Sequence, residues 1–412
     1  MRSRRGNGKR KWLIRGIAAV VVIGIAIGAA SWLQHLRTEG ASGLGASEPS
    51  EPSVPVVNEE GAYESIQLAA VGDVMFHNAQ LESARLATGG YDFKPVFEQV
   101  KPIIEAADIA IANFETTTAG TDPYKHQGYP RFNSPDEAVD ALKEAGFDIL
   151  TTANNHSLDT GKKGVIRTLE TIQSRGLATV GTYASRPDTR VLLKEVKGIK
   201  LAFLSYTESL NGLESLLTAE ELDAMMNKVD EAKIQEDIAY VKEQGADLIL
   251  ASLHWGNEYE REPSSGQVNL AQRLSSFGVD IILGSHPHVI QKSEWLQSGD
   301  RKTFVVYSMG NFISNQRQET LDNVFTEDGV IVQFEIRKDK QTGATEIHKV
   351  DYVPTWVYRD MEPGQQTFAY RILPAEDYSN SLELSDAFKA RMERSYQDTM
   401  SQMDVSEQND ES

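Results

Sequence analysis

Short apolar runs recur between residues 66 and 312, and each gives way to a polar cluster. Four of them are entered by an aspartate: EAADIAIANFE (105–115), EAGFDILTTANNH (144–156), EQGADLILASLHW (243–255) and SFGVDIILGSHPH (276–288). IQLAAVGDVMFH (66–77), KLAFLSYTES (200–209) and TFVVYSMGNF (303–312) close in the same manner. Runs this short, spaced by amphipathic stretches, predict strands buried on both faces and joined by helices. From residue 329 the period changes. GVIVQFEIRKDKQTGATEIHKVDYVPTWVY (329–358) alternates about a Lys-Gln-Thr-Gly turn and predicts an antiparallel hairpin. Residues 383–398 carry the pattern of a closing amphipathic helix. The body is expected to be α/β, with parallel and antiparallel strands together.

The amino-terminal segment departs from this pattern. Residues 16–36, GIAAVVVIGIAIGAASWLQHL, hold no formally charged side chain, and about 20 apolar residues span a bilayer as a helix. Basic residues crowd before it, which predicts a cytoplasmic amino terminus, a single-pass anchor in the cell membrane and an extracellular body. The competing reading is a cleaved signal peptide ending near AIGAAS (26–31); the apolar run exceeds a signal core and favours the anchor. The expected organisation is a basic segment (1–15), a transmembrane anchor (16–36) and a disordered linker rich in Gly, Ser, Pro and Glu (37–63). A main domain (64–360), an extension with the closing helix (361–398) and a disordered polar tail (399–412) follow.

Charge sharpens the division. Residues 1–37 hold eight basic residues and no acidic one; the remainder has 33 basic against 60 acidic residues, a balance of −27. Such a body excludes nucleic acid as a partner, because that binding needs clustered Lys and Arg. There is no cysteine, so disulfides, thiolate metal sites and cysteine nucleophiles are excluded. No Gly-x-Ser-x-Gly elbow, phosphate-binding P-loop or His-Glu-x-x-His motif occurs.

Five predicted strand ends bring Asp73, Asn113 with Glu115, Asn155 with His156, His254, and His286 with His288 toward one edge, where ligands gather in α/β folds. Singly, each has an ordinary role. Asp73 suits a turn or helix cap, Asn154 and Asn155 suit a turn, and His254 beside Trp255 suits a core position. Together, four of the eight histidines meet carboxylates and amides. That set points to divalent Mn, Fe or Zn, and a bridging carboxylate would hold two ions. His-Pro-His on an irregular loop can turn both rings to one cluster, which a continuing strand would not. His77 fits the surface or the pocket rim equally, and His254 with Glu258 stands at helical spacing. Lys125 and Arg131 in DPYKHQGYPRFN (122–133), with Lys162, are candidates for a basic rim, and His126 lies in the same loop. Asn113, His77, Lys125, Arg131 and Asn311 are the expected substrate contacts.

The ordered motifs VGDVM, NFE, TTANNHSLDTG, LHWGNEY, GSHPHV and YSMGNF resemble the CapA capsule-synthesis family, associated with poly-γ-glutamate, across roughly residues 66–315. That family is similar to the calcineurin-like metallophosphoesterases, which implies two packed mixed β-sheets flanked by helices and a dinuclear centre. On this resemblance Asp73 matches the first metal-binding aspartate, Glu115 the bridging carboxylate, Asn155 the amide ligand and His156 the catalytic histidine. It implies His254 and His286 on one ion, and His288 with Asp73 on the other. Met75 departs from the phosphoesterase pattern, which has histidine two residues after the aspartate, and a thioether is a poor ligand for hard cations. Glu115 departs too, one methylene longer than the usual aspartate.

The expected function is a membrane-anchored extracellular capsule protein with a metal-dependent hydrolase- or transferase-like site acting on poly-γ-glutamate or a related acidic polymer. The alternative is a non-catalytic component that binds polymer and serves a membrane synthase and its subunits.

Overall fold

The computed structural model describes residues 61–361, 364, 366–379 and 384–404. The expected anchor and most of the linker (residues 1–60) lie outside the described residues, as does the tail from residue 405. Among the described residues no helix is long and apolar enough to cross a membrane.

In chain order the strands are β1 (Tyr63–Val74), β2 (Ile109–Phe114), β3 (Ile149–Thr151), β4 (Ala178–Val180), β5 (Leu192–Val196), β6 (Ile199–Thr207), β7 (Leu248–His254), β8 (Ile281–Ser285), β9 (Ile290–Ser298), β10 (Arg301–Met309), β11 (Asn311–Ile313), β12 (Asp328–Asp339), β13 (Thr345–Asp360) and β14 (Ala369–Pro374). The helices that bear on the site are α1 (Asn78–Ala84), α2 (Glu137–Glu144), α3 (Gly161–Ser174), α4 (Glu231–Glu243), α5 (Ser265–Phe277) and α6 (Asp386–Gln402). One sheet has the order β14-β13-β12-β1-β2-β3-β4, with β11 also pairing β1; the other runs β5-β6-β7-β8-β10-β9. β1 to β4 are parallel, as are β6, β7, β8 and β10, while β12 to β14 pair antiparallel. Both sheets are therefore mixed.

Strand alternation builds the layers. Ile66, Leu68 and Ala70 of β1 face Leu201, Phe203, Leu250 and Leu283 of the other sheet. Ala69 and Val71, between them, face Val139, Leu142 and Ile172 on the helices outside. The second sheet does the same with Ile249, Ala251 and Leu253 against Ile238 and Leu274. Each buried aliphatic side chain contributes about 1.5–3 kcal/mol, so two sheets apolar on both faces stack between two helical layers.

The recurring aspartates now have a cause. Oδ2 of Asp108, Asp148, Asp247 and Asp280 accepts from the backbone N–H of Gln67, Ala110, Lys200 and Ile249 respectively, at 2.7–3.0 Å. Each aspartate also donates its own N–H to the carbonyl of Gln67, Ala110, Lys200 or Ile249. A side chain thus pairs the neighbouring strand one residue before each ladder begins, and sets the register that brings the far ends level.

The hairpin of β12 and β13 forms as its alternation predicts. The carboxyl terminus corrects the expected boundary at residue 398. α6 runs to Gln402, Met403 is buried in the core between the sheets, and Asp404 donates its N–H to Ser293 Oγ at 2.7 Å. Buried Thr399 and Met403 give this stretch the anchorage that its polar composition hides.

Candidate metal centre

The parallel strands of both sheets end on one space. The first sheet supplies Asp73 near the end of β1, Glu115 just past β2, and Asn155 and His156 after β3. The second supplies His254, the last residue of β7, and His286 and His288 beyond β8. Gly72 makes the approach feasible, since a Cβ there would stand 2.1 Å from the Gly310 carbonyl oxygen. That closeness lets Asp73 donate its N–H to Gly310 and pair in register with Asn311 of β11. His286 and His288 have φ of 100° and 57° on either side of Pro287. Side chains other than glycine seldom occupy this left-handed region, and here it turns both rings back to the cluster.

The carboxylates are held very differently. Asp73 Oδ1 accepts from Asn113 Nδ2 at 2.7 Å, and Oδ2 meets His288 Nδ1 at 3.0 Å and the His286 N–H at 3.3 Å. Burial raises the Asp73 pKa, but the hydrogen bond and charge of His288, aided by His254 and Asn113, hold it well below the ordinary carboxylate range. Glu115 is equally buried, and neither of its oxygens has a hydrogen-bond partner. Burial first, then the charge of Asp73, pushes its pKa well above the usual value. Burial, reinforced by neighbouring imidazoles, lowers His254 well below its usual value and His286 to about 4. Both rings are neutral at neutral pH and present lone pairs.

Donors around a cation at about 2.1 Å sit about 3.4 Å apart in tetrahedral geometry. Glu115 Oε1 lies 3.5 Å from His254 Nε2 and 3.8 Å from His288 Nε2. His254 Nε2 is 3.0 Å from Asn155 Oδ1, and the His254 and His286 ring centres are 4.8 Å apart. Donor atoms of Glu115, His286 and His288 all lie within 4.8 Å of one another, as do those of Asp73, Glu115 and His254. The unpaired Glu115 oxygens and the unpaired, buried His286 Nδ1 are what an ion would complete. The residues fit a divalent cation. Met75, buried just past the end of β1, adds only a thioether.

His156 stands beside this cluster in a buried dyad, its Nδ1 2.8 Å from Asp159 Oδ2. The same oxygen accepts the Phe132 N–H at 2.6 Å, and the Phe132 ring packs edge-on to His156 at 4.7 Å. With Nδ1 given to Asp159, Nε2 is the nitrogen left for proton transfer. Sequence reasoning passed over Asp159, although its place three residues after His156 was a usable signal. It also passed over Asn154 as a support: Nδ2 donates to the Phe114 carbonyl at 2.9 Å, and Oδ1 accepts the His156 N–H at 3.1 Å. This ties the turn after β3 to the end of β2.

The expected substrate contacts separate. Asn113 and Asn311 are buried supports: Asn113 bonds Asp73, and Asn311 Oδ1 meets His288 Nδ1 at 3.1 Å while its Nδ2 donates to Thr326 O at 3.0 Å. His77 caps α1, accepts the Asn315 N–H at 3.2 Å and stacks edge-on to Phe132 at 5.0 Å; it belongs to neither donor group. Burial and the nearby His288 lower it to about 3. Lys125 and Arg131 are exposed, and His126 faces Tyr91. Lys162 is not a free rim cation, since Glu221 holds it at 2.5 Å. Nor is His254 at helical spacing from Glu258, because β7 ends at His254 and a bend and turn follow.

Several known proteins are similar to this chain. It is 28% identical over 347 residues to the capsule biosynthesis protein CapA of Bacillus anthracis, covering 82% of this chain and 74% of that one. It is 30% identical over 266 residues to the PGA biosynthesis protein CapA of Bacillus subtilis (strain 168), covering 62% and 64%. Among solved structures it is similar to the calcineurin-like phosphoesterase YfkN of Bacillus subtilis, with TM-score 0.41 and 11% identity over 82% of this chain and 98% of that one. A phosphatase from Mycoplasma pneumoniae gives TM-score 0.42 and 16% identity over 71% and 93%. Residues 67–316 match the family described as bacterial capsule synthesis protein PGA_cap, a span that contains every donor named above; the chain belongs to that family.

Proposed function

We propose that the protein is an extracellular, membrane-anchored member of a poly-γ-glutamate capsule machinery, with a divalent-cation site that hydrolyses or transfers bonds of an acidic envelope polymer. One observation carries the reading: Glu115 is fully buried with two oxygens that lack hydrogen bonds, 3.5 Å from the His254 ring and 3.8 Å from the His288 ring, an arrangement unfavourable without a cation. Glu115, Asn155, His254 and His286 would hold one ion, and Asp73, Glu115 and His288 a second. A bound divalent ion supplies Lewis acidity and lowers the pKa of water.

The chain's own groups supply the rest. Asn113 and Asn311 orient Asp73 and His288, as outer hydrogen bonds do for ligands generally. His156 delivers a proton from Nε2 to the leaving group, and Asp159 holds its ring in the required tautomer.

Elemental analysis of the purified full-length protein tests the reading. Bound Mn, Fe or Zn is expected, and its loss in His286→Ala/His288→Ala. His156→Ala should keep the metal and lower polymer turnover by about 100- to 10,000-fold, the range for general acid catalysis. Unchanged turnover would replace the enzyme with a polymer-binding component, and failure to bind any cation after reconstitution would sink the metal site.

A further inference from the structure

One loop beside the dyad is built with more care than a connection requires. Gln127 and Asn133 exchange two backbone hydrogen bonds, at 3.0 and 2.8 Å, and close the five residues between them into a tip. Gly128 donates its N–H to Asn78 Oδ1 at 2.8 Å, and a Cβ there would stand 2.6 Å from His77 Cα. Phe132 anchors the other side, buried between His77 and His156 and bonded through its N–H to Asp159. The tip is therefore tied on one side to the capped helix and on the other to the dyad, with Thr117 Oγ1 also donating to the Phe132 carbonyl at 2.7 Å. The side chains that remain outside are Tyr129, 71% exposed, Pro130 and Arg131, also exposed. The Arg131 guanidinium has no ion pair or hydrogen bond among the described residues; only its carbonyl is used, by Gln127.

Tyr259 packs against the cluster itself. Its φ of 68° is costly for an aromatic residue, and it is held there by its N–H to the Pro287 carbonyl at 2.8 Å, between the two histidines. Its ring centre is 6.2 Å from that of His288, and its hydroxyl accepts from Gln316 Nε2 at 3.2 Å. Both Tyr129 and Glu115 lie near enough to add to the rise in its phenol pKa, behind burial and Glu258. An unpaired cation and an exposed tyrosine thus stand on a tip that packs against His156, and a second tyrosine packs against His288, on a body whose charge balance outside residues 1–37 is −27.

We infer that Tyr129, Arg131 and Tyr259 form the rim that reads the substrate, and that it fits a linear chain bearing carboxylates on an aliphatic backbone. Arg131 takes a carboxylate by charge-assisted hydrogen bonds, and the tyrosine faces cover the methylenes between carboxylates. Phe132 joins the same tip to His156, so a chain seated on the rim is placed against the group that transfers the proton. A small anion would need only the cation and the dyad; exposed side chains on a tip outside them serve a ligand with length. This rests on the acidic-polymer reading above.

The test is fluorescence anisotropy of a labelled, synthetic γ-linked glutamate oligomer with the full-length protein over a range of salt concentrations. Arg131→Ala should weaken binding roughly tenfold and flatten its salt dependence, and Arg131→Lys should restore part of both. Tyr129→Ala should weaken it about threefold, while Tyr129→Phe keeps the parent's affinity. Both positions are exposed, so thermal unfolding and metal content should not move in any of these proteins. Parent-like binding by both Arg131→Ala and Tyr129→Ala would overturn the rim and leave the polymer reading standing. A parent protein that binds no oligomer even at low salt would overturn both.

Discussion

Glu115 and Glu327 are both fully buried carboxylates, and they are opposites. Glu327, the residue just before β12, accepts from the Trp356 indole at 3.0 Å, the Gln318 N–H at 3.0 Å and the Arg391 guanidinium, with Arg317 at 3.4 Å. The arginines converge from distant parts of the chain, and α6 is clamped to the sheet by Arg391 and by Arg394 on Asp328. Neither Glu115 oxygen has a hydrogen-bond partner among the described residues, only the imidazoles of His254 and His288 at 3.5 and 3.8 Å. A buried charge is tolerated when its lone pairs are filled, so one region is finished as protein and the other is completed from outside.

The comparison can be broken by exchanging each carboxylate for its amide. Glu327→Gln leaves Arg317 and Arg391 short of a counter-charge and should cost about 3–5 kcal/mol in denaturant unfolding. Glu115→Gln should change the stability of the cation-free protein by less than about 1 kcal/mol, because burial and the Asp73 charge already disfavour the charged form that the amide removes. Equal losses in the two variants would end the distinction.

Acidity sharpens it next. Burial raises Asp328 to about 6 from an ordinary 3.8, against the pull of Arg394. Between these values the folded protein binds more protons at this group than the unfolded chain. Its contribution to stability therefore falls as pH rises from about 4 to about 6 and is level above, by about 3 kcal/mol in all. Unfolding free energies across that window should lose this component in Asp328→Asn; an unchanged pH profile would refute it.

The smallest effect separates the regions by ligand. A divalent cation at a hundredfold excess over its Kd should raise the parent's stability by about 2.7 kcal/mol. The rise should vanish in Glu115→Gln, and a thermal shift persisting there would place the ion elsewhere.

Much of the site was legible because strand ends are local features. Asp73, Glu115, Asn155, His254, His286 and His288 each close a short apolar run, and the parallel register of β1, β2, β3, β7 and β8 brings those closures level. What misled was chemistry read without partners. Asn113 and Asn311 read as substrate contacts because amides suit that work, yet the structure spends them on Asp73 and His288. Lys162 read as a free cation until Glu221, far along the chain, took it. Asp159 was passed over although its spacing from His156 was a usable signal, since spacing alone does not show which way the carboxylate turns.

The sequence by itself determined the α/β alternation, the hairpin, the donor types and the family, since periodicity and ordered motifs are carried by neighbours along the chain. Only the tertiary structure decided that the donors come from two different sheets, that β11 inserts beside β1 to bring Asn311 to Asp73, and that Glu115 is left unpaired where Glu327 is satisfied. Partnering of a buried charge depends on groups separated by tens to hundreds of residues, and no local pattern encodes which of them will arrive.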